Sequence, residues 1–475
     1  MTARRSKRWG VGALAGLTGV LSVGLAYAQD TGVGGAQPAI AVSPRWLSDS
    51  RFSNGQGFTT GRVEWHPGLA VEGGYDSNIF LRSGETNEPK VAIWKLRVTP
   101  HIQFNTRSLV GDGGRAQAAP YALSGNLSLT YSEFIKADAK DTEDVAGHRN
   151  LGVLAGINLA IAPAGKVGAN LRAAVARSIQ PSQYGIPSAS INRTSPSGGA
   201  SIIWRPGGGL FSWAANYNAS FTLFESSRFN ELNNVVHEVG TSGTWQFRPR
   251  TAINFDSSYG LIRYLNTPTV QPDGDYLRAR VGLNGLATNT FGFTALAGYA
   301  TTFFDSKSGA PKQDFDSFIG QLEGRFYLNA PPPGNNTPGL APSTFAIGVS
   351  RDFTQSYIGN FFARDRGYAN VSYFFAGRLL ATVGGGVARA SFAATSFADG
   401  SARYPEFASY IADANALVEY RFTPNFALNL NGIYSAFLGD DRIPSTPNAN
   451  PADPTQFDSL KWDRVEVMLG ARYLM

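Results

Sequence analysis

The sequence predicts an all-β chain folded as a transmembrane, antiparallel up-and-down β-barrel of about 18 strands, and three observations predict it. A basic and then uncharged N-terminus ends in a small-x-small site, period-two segments near the length of a tilted bilayer-crossing strand recur along the chain, and tight turns alternate with long polar loops. The pattern is plainest where Phe211, Trp213, Ala215, Tyr217, Ala219, Phe221 and Leu223 alternate with Ser212, Ala214, Asn216, Asn218, Ser220 and Thr222. One face of such a strand is apolar and the other wet.

The first element is a secretory signal over residues 1–28. Arg4, Arg5, Lys7 and Arg8 precede the uncharged run Gly10 to Leu25, which leads into Ala26-Tyr27-Ala28. This run is too short and too rich in glycine for a retained membrane anchor, so cleavage is expected after Ala28. Without those four basic residues the formal charge falls from +6 to +2. So small an excess, with no interleaved Lys and Arg patch, gives no case for nucleic acid. Cysteine is absent, which excludes disulfides and thiolate metal sites.

Residues 29–65, rich in Gly, Ser and Asn and without sustained alternation, read as a periplasmic linker or a plug entering the pore. Residues 66–475 form the barrel. Alternation and its breaks predict strands near 67–75, 92–104, 121–133, 149–161, 167–178, 195–204, 210–223, 233–247 and 251–263. They continue near 275–287, 290–304, 315–328, 343–353, 364–375, 379–392, 406–422, 426–438 and 461–475. The count is even, as a closed antiparallel barrel with both ends on one side requires.

Five connections are tight: Pro163-Ala164-Gly165, Pro206-Gly207-Gly208, Arg248-Pro249-Arg250, Thr288-Asn289-Thr290 and Thr423-Pro424-Asn425. They read as periplasmic turns. Longer polar loops, such as Ser77 to Lys90, Ile179 to Ile191, Asp305 to Asp314, Thr395 to Pro405 and Gly439 to Leu460, are expected outside. Asn105 to Pro120 and Asn329 to Pro342 break the rule, being long on the periplasmic side, so either the count slips there or those turns serve another purpose.

Two uncharged stretches, Pro206 to Phe224 and Leu286 to Phe304, are long enough to suggest membrane helices. Their polar residues decide otherwise, since Asn216, Asn218, Ser220 and Thr222 share one period-two register and would be scattered into lipid on a helix. Soluble sandwiches and propellers also alternate, but with strands about half this length. Aromatic residues beside the turns, Trp204 with Phe211, Trp245 with Phe247, and Tyr420 and Phe422 with Phe426, suit a headgroup belt. The last strand keeps Val465, Val467, Leu469, Ala471, Tyr473 and Met475 in one outward register, as assembly machinery of the outer membrane would recognise, though it ends in Met rather than Phe or Trp.

At Gly74-Tyr75-Asp76-Ser77-Asn78-Ile79-Phe80, where the first strand meets its loop, the chain resembles the opening hairpin of the β-barrel porin 2 group, with a similar layout from about His66 to Met475. That resemblance implies an outer-membrane barrel and, as in many members, a part in exopolysaccharide or capsule export alongside a periplasmic export component.

The opposite register supplies candidates for the pore lining: Glu72, Lys95, Arg97, Arg172, Asn216, Asn218, Asp256, Arg278, Arg280, Glu323, Arg325, Asp413, Glu419, Arg421, Arg464 and Glu466. Asn170, Asn254, Asn284, Asn370, Asn415, Asn429 and Asn431 share it, a lining suited to a hydroxyl-rich solute. Lys95 with Arg97, and Arg278 with Arg280, form basic strips that would favour anionic sugars if they lay close together and if opposing acids left them free. Any barrel of this size also needs a wet interior, so each residue has a bland reading beside the functional one.

Enzyme chemistry is not expected. Four histidines, His66, His101, His148 and His237, are scattered over different strands, and neither G-x-S-x-G, H-E-x-x-H nor a phosphate-binding glycine loop is present. No cofactor is expected. Asp138, Asp141, Glu143 and Asp144 cluster in one loop without EF-hand spacing, so no metal site is assigned. The expected setting is the cell outer membrane, among its lipid and lipopolysaccharide. The expected function is passage of a hydrophilic solute, a polysaccharide chain by resemblance, with general diffusion of small solutes as the alternative and a structural or adhesive barrel, working through its external loops, or a barrel enzyme ranked below it.

Overall fold

A computed structural model describes residues 55–475 apart from 86–88, 107–108, 111–115, 118, 139–144, 146–148, 182–189, 267–272, 305–313, 329–342, 356–360, 394, 397–401, 405, 440–441 and 445–456. The signal peptide, its cleavage site and most of the 29–65 segment therefore lie outside the described residues, as do His148, Asp141, Glu143 and Asp144.

Eighteen long strands follow one another as neighbours. The first nine are β1 (Val63–Asp76), β2 (Ile93–Thr106), β3 (Tyr121–Lys136), β4 (Asn150–Ile161), β5 (Val167–Pro181), β6 (Ser190–Trp204), β7 (Phe211–Phe224), β8 (Asn234–Arg248) and β9 (Thr251–Tyr264). The second nine are β10 (Gly274–Leu286), β11 (Phe291–Phe304), β12 (Asp316–Tyr327), β13 (Thr344–Gln355), β14 (Phe361–Phe375), β15 (Leu379–Phe392), β16 (Phe407–Arg421), β17 (Phe426–Phe437) and β18 (Trp462–Leu474). Each pairs antiparallel with the next, and β18 closes on β1 with Gly68 opposite Leu474 and Asp76 opposite Glu466. Closure leaves no edge strand, the condition for a sheet to lie in lipid.

The two faces differ as the alternation requires. On β2, Trp94 and Leu96 are exposed while Ile93, Lys95, Arg97, Thr99 and His101 between them are buried; on β18, Val465, Val467, Leu469 and Tyr473 are exposed, and Arg464, Glu466, Met468 and Arg472 are buried. Exposed large apolar side chains on every strand's outer register are stable only against hydrocarbon. A closed antiparallel barrel with that exterior is the spanning form of an outer membrane, and that is where the chain sits.

The strands match the expected ones, with shifts where alternation fails. β14 begins at Phe361 rather than 364 because Phe361 and Phe362 are both buried, which hides the period. β1 begins at Val63, inside the segment read as a linker, because Phe58–Thr60 folds back to pair with Val63 to Trp65. The count does not slip at the two long turns, since β2 pairs directly with β3 and β12 with β13. In the first of them Leu109–Val110 pairs with Ala116–Gln117 as a small hairpin.

A sixth tight turn joins β14 to β15 without Pro or Asn. Ala376 and Gly377 have φ of 47° and 73°, and the Arg378 amide donates to the Phe375 carbonyl over 3.0 Å, the type I′ geometry that matches strand twist. At two other turns a threonine hydroxyl accepts from backbone: Thr288 from the Phe291 amide at 3.0 Å, Thr423 from the Phe426 amide at 2.9 Å. Ring pairs gather at this end, with Trp204 and Phe211 at 6.1 Å and Tyr420 and Phe422 at 4.8 Å between centroids.

Candidate functional site: the barrel interior

All sixteen residues proposed for the lining stand on the register opposite the exposed apolar side chains. They divide into two walls with different chemistry.

Around the closing seam, β16–β18 with β1 and β2, the charges are packed away from water. The Asp76 carboxylate accepts from Arg464 Nε at 2.9 Å and from Lys95 Nζ at 3.0 Å, and Lys95 Nζ also donates to Glu466 at 2.8 Å. Arg97 lies 3.4 Å from Glu72 and 3.6 Å from Glu466. Three acids and three bases thus neutralise one another, which is the condition under which charge survives in a low-dielectric wall. Beside this network Arg472 forks onto Glu419 at 2.6 and 2.8 Å, and Arg421 Nε donates to the same carboxylate at 2.7 Å. Glu72, Lys95, Arg97, Glu419, Arg464 and Glu466 are all buried. They hold the seam together rather than face a solute.

The motif at Gly74 to Phe80 belongs to this seam. Asp76 is its central acceptor. Ser77 exchanges bonds with Val465, its amide donating to the carbonyl at 3.0 Å and its hydroxyl accepting from the amide at 2.9 Å. Asn78 Nδ2 donates to the carbonyls of Arg82 and Asp463, at 2.8 and 2.9 Å, while its Oδ1 accepts from the Arg82 amide at 2.9 Å. The first part of the loop after β1 is thereby folded inward, Asn78, Ile79, Phe80, Leu81 and Arg82 being buried, while Gly84, Glu85, Pro89 and Lys90 are exposed as the loop's polarity suggested.

The opposite wall is different. Arg172 on β5 faces inward and is exposed, and so does Arg325 on β12, 49% exposed in its side chain. Inside a closed barrel, an inward residue is exposed to water in the lumen or at its mouth; Arg172 stands five residues inside β5, and Arg325 two residues from the end of β12. Arg172 Nη2 donates to Asn218 at 3.3 Å, and Arg325 to Glu323 at 2.7 Å. Arg280 pairs with Asp256 at 3.1 Å and Arg278 with Asp352 at 2.9 Å, while Arg366 on β14 joins this wall to the seam strand β16 through Asp413 at 2.7 Å. The two basic strips stand eight strands apart, on β2 and β10, and each meets acids, so they form no joint basic surface.

A repeated device shapes this lining. A glycine on one strand leaves a gap over which side chains from its two neighbours meet: Glu238 and Tyr276 across Gly260, Glu323 and Tyr368 across Gly348, Arg172 and Asn218 across Gly199. The Tyr276 hydroxyl donates to Glu238 at 2.6 Å and the Tyr368 hydroxyl to Glu323 at 2.7 Å. A Cβ on Gly260 would stand 2.6 Å from that Tyr276 oxygen, and one on Gly348 would stand 2.7 Å from the Tyr368 oxygen.

At the loop end the inward face turns apolar, contrary to the wet interior expected along the whole height. Phe362, Phe392, Phe437 and Trp462 pack with Leu81 and Leu460; Ile93 and Phe134 with Ile79, Phe80 and Val145; Ala300 and Phe304 with Phe315, Ile319, Phe353 and Phe361. The loops that turn inward supply the apolar partners that make this collar possible.

Sequence reasoning missed Asp76, Arg366, Arg472, Glu238, Tyr276 and Tyr368 as interior groups. Asp76 and Arg472 continue the registers of Glu72 and Glu466 and were legible by extension; the tyrosines were not, because a ring in a barrel strand reads first as lipid-facing. Of the histidines, His101 is buried inside near the Thr99 carbonyl at 3.3 Å, and His237 lies outside, 2.8 Å from the Tyr217 hydroxyl. His66 stands 3.4 Å from Glu64.

No family model and no curated protein matches the chain by sequence. Among solved structures it is similar to OccAB4 of Acinetobacter baumannii, with 12% identity over 90% of this chain and all of that one, at a TM-score of 0.42. It is also similar to the outer membrane protein OpdK of Pseudomonas aeruginosa (11% identity, 86% and 99% covered, TM-score 0.42) and to a BenF-like porin of Pseudomonas fluorescens Pf-5 (11%, 86% and 99%, 0.44).

Proposed function

We propose that the chain is a passive channel for small hydrophilic solutes across the outer membrane. The observation that carries this reading is the exposure of Arg172 and Arg325 on the inward face of a closed barrel, which marks an aqueous path along the wall opposite the packed seam. The lining offers carboxylates, guanidinium groups, phenols and amides of both donor and acceptor character, which exchange hydrogen bonds with a hydrated solute without holding it.

The polysaccharide conduit implied by the family resemblance fits less well. Loop residues pack onto an apolar collar at the outer mouth, and a polymer threading there would have to displace them or pass beside them. An enzymatic role finds no support among the described interior residues, most of whose acids are paired with bases; a phospholipid hydrolysis assay with the refolded barrel is expected to show no turnover above background.

Planar-bilayer conductance tests the channel reading. Discrete open steps are expected, with short neutral and acidic oligosaccharides reducing them and long chains having little effect. A silent barrel overturns the proposal. With Arg172→Glu and Arg325→Glu together, the reversal potential in a salt gradient is expected to move toward cation preference, because two exposed cations become anions in the path.

A further inference from the structure

The outer surface carries one charged row that the pore does not use. In register across β13, β14, β15 and β16 stand Arg351, Asp365, Arg389 and Tyr410, all on the lipid-facing side. Arg351 holds Asp365 from a single Nη1, at 3.0 and 3.1 Å, and remains 46% exposed. Arg351 also donates from Nη2 to Ser317 at 3.2 Å. Arg389 is exposed and forms no hydrogen bond or ion pair with a described residue. Two guanidinium groups thus flank one carboxylate, so that within the row, among the described residues, one positive charge has no acid of its own. Two other outward arginines pair one to one, Arg263 with Asp275 and Arg177 with Glu225.

The depth of the row identifies what meets it. Ten residues separate Asp365 from Phe375, Arg389 from Leu379, and Tyr410 from Tyr420, and the second member of each pair borders a tight turn. Ten strand residues span about 33 Å, or about 25 Å along the membrane normal at a tilt of about 40°, the height of the apolar band of an outer-membrane barrel. The row therefore stands at the external headgroup level. Beneath it Val383 and Val387 form a ridge on β15, with shallow strips of Gly367 and Ala369 on one side and Ala412 and Ala414 on the other. A Cβ on Gly367 would meet nothing within 4 Å. Strips of that shape accept acyl chains on both sides of the ridge.

We infer that Arg351 and Arg389 bind a phosphate of a lipopolysaccharide molecule in the outer leaflet, with its acyl chains lying along the two strips. Guanidinium groups are suited to phosphate because they present paired donors to its oxygens and are weakly hydrated. The site depends on the barrel's place in the outer membrane and not on what crosses the pore, so it stands or falls separately from the channel reading.

Native mass spectrometry of the full-length folded protein in nanodiscs, supplied with lipid A, dephosphorylated lipid A or phosphatidylglycerol, tests it. The wild type is expected to retain lipid A about tenfold more strongly than the other two, and Arg351→Ala with Arg389→Ala to abolish that preference. Arg263→Ala, which removes a paired outward arginine, is expected to keep it. Equal retention of lipid A and dephosphorylated lipid A by the wild type overturns the inference, as does equal retention of phosphatidylglycerol or an unchanged preference in the double variant. The wild-type comparison decides the matter even if the double variant folds poorly.

Discussion

Asp76 shows how much can hang on one side chain. It lies at the last position of β1, inward, and receives Arg464 from one neighbouring strand and Lys95 from the other. Removing a partner from a buried network costs more than the network contributes over an apolar packing, because the remaining charges lose their compensation in place. Asp76→Asn is therefore expected to destabilise the folded barrel by about 3 kcal/mol. Urea unfolding in detergent, followed by loss of heat-modifiable electrophoretic mobility, measures it; a change too small to detect would mean that Glu466 alone neutralises Lys95 and Arg464. The motif Gly74 to Phe80 has a physical role, since it fastens the first loop to the last strand.

Strand pairs carry the next level. A β-strand places neighbours' side chains too far apart to bond over an intervening residue unless that residue is small, and Gly260 and Gly348 meet this need for Tyr276 and Tyr368. Gly260→Ala is expected to displace the Tyr276 hydroxyl from Glu238 and to cost about 1–3 kcal/mol. Gly432→Ala, where a Cβ meets nothing within 4 Å, is expected to be near neutral. Equal unfolding midpoints for the two variants would show that the clasp contributes nothing. Tight turns obey the same logic of local sufficiency, since Ala376-Gly377 closes β14 onto β15 with backbone geometry alone.

Across the whole molecule, two kinds of apolar surface do different work. Outward residues such as Val349, Val387 and Leu469 exchange one hydrocarbon contact for another, so they set depth without driving packing. The inward collar has water as its alternative, and its burial is hydrophobic in the ordinary sense. Phe392 is 1% exposed and stacks on Phe362 and Phe407 at centroid distances of 5.0 and 4.7 Å. Phe392→Ala is expected to cost about 3 kcal/mol and to loosen the loops packed on the collar. In planar bilayers that loosening would appear as larger or noisier conductance steps than those of the wild type; identical steps would show that the collar is a rigid wall lining and does not hold the mouth.

The strand number, the antiparallel order, the lipid face and the turn end were all determined by local pattern, because period-two alternation and turn chemistry act over two to fifteen residues. Membership of the inward register was equally local, and all sixteen lining candidates fall on it. Which of those sixteen meet water was decided only by the closed barrel. Glu466 lies most of the chain away from Glu72 and Lys95, and only closure of β18 on β1 makes it their neighbour and removes the three from solvent. Arg172 and Arg325, on the same inward register, stay exposed, Arg172 beside the neutral Asn218 and Arg325 with only Glu323 of its own strand as an ion-pair partner among the described residues. The apolar collar depends likewise on described loop residues, such as Leu81, Phe80 and Leu460, packing onto strand residues far from them in sequence. A strand's faces are a property of its residues, whereas burial within a barrel is a property of what the rest of the chain brings alongside.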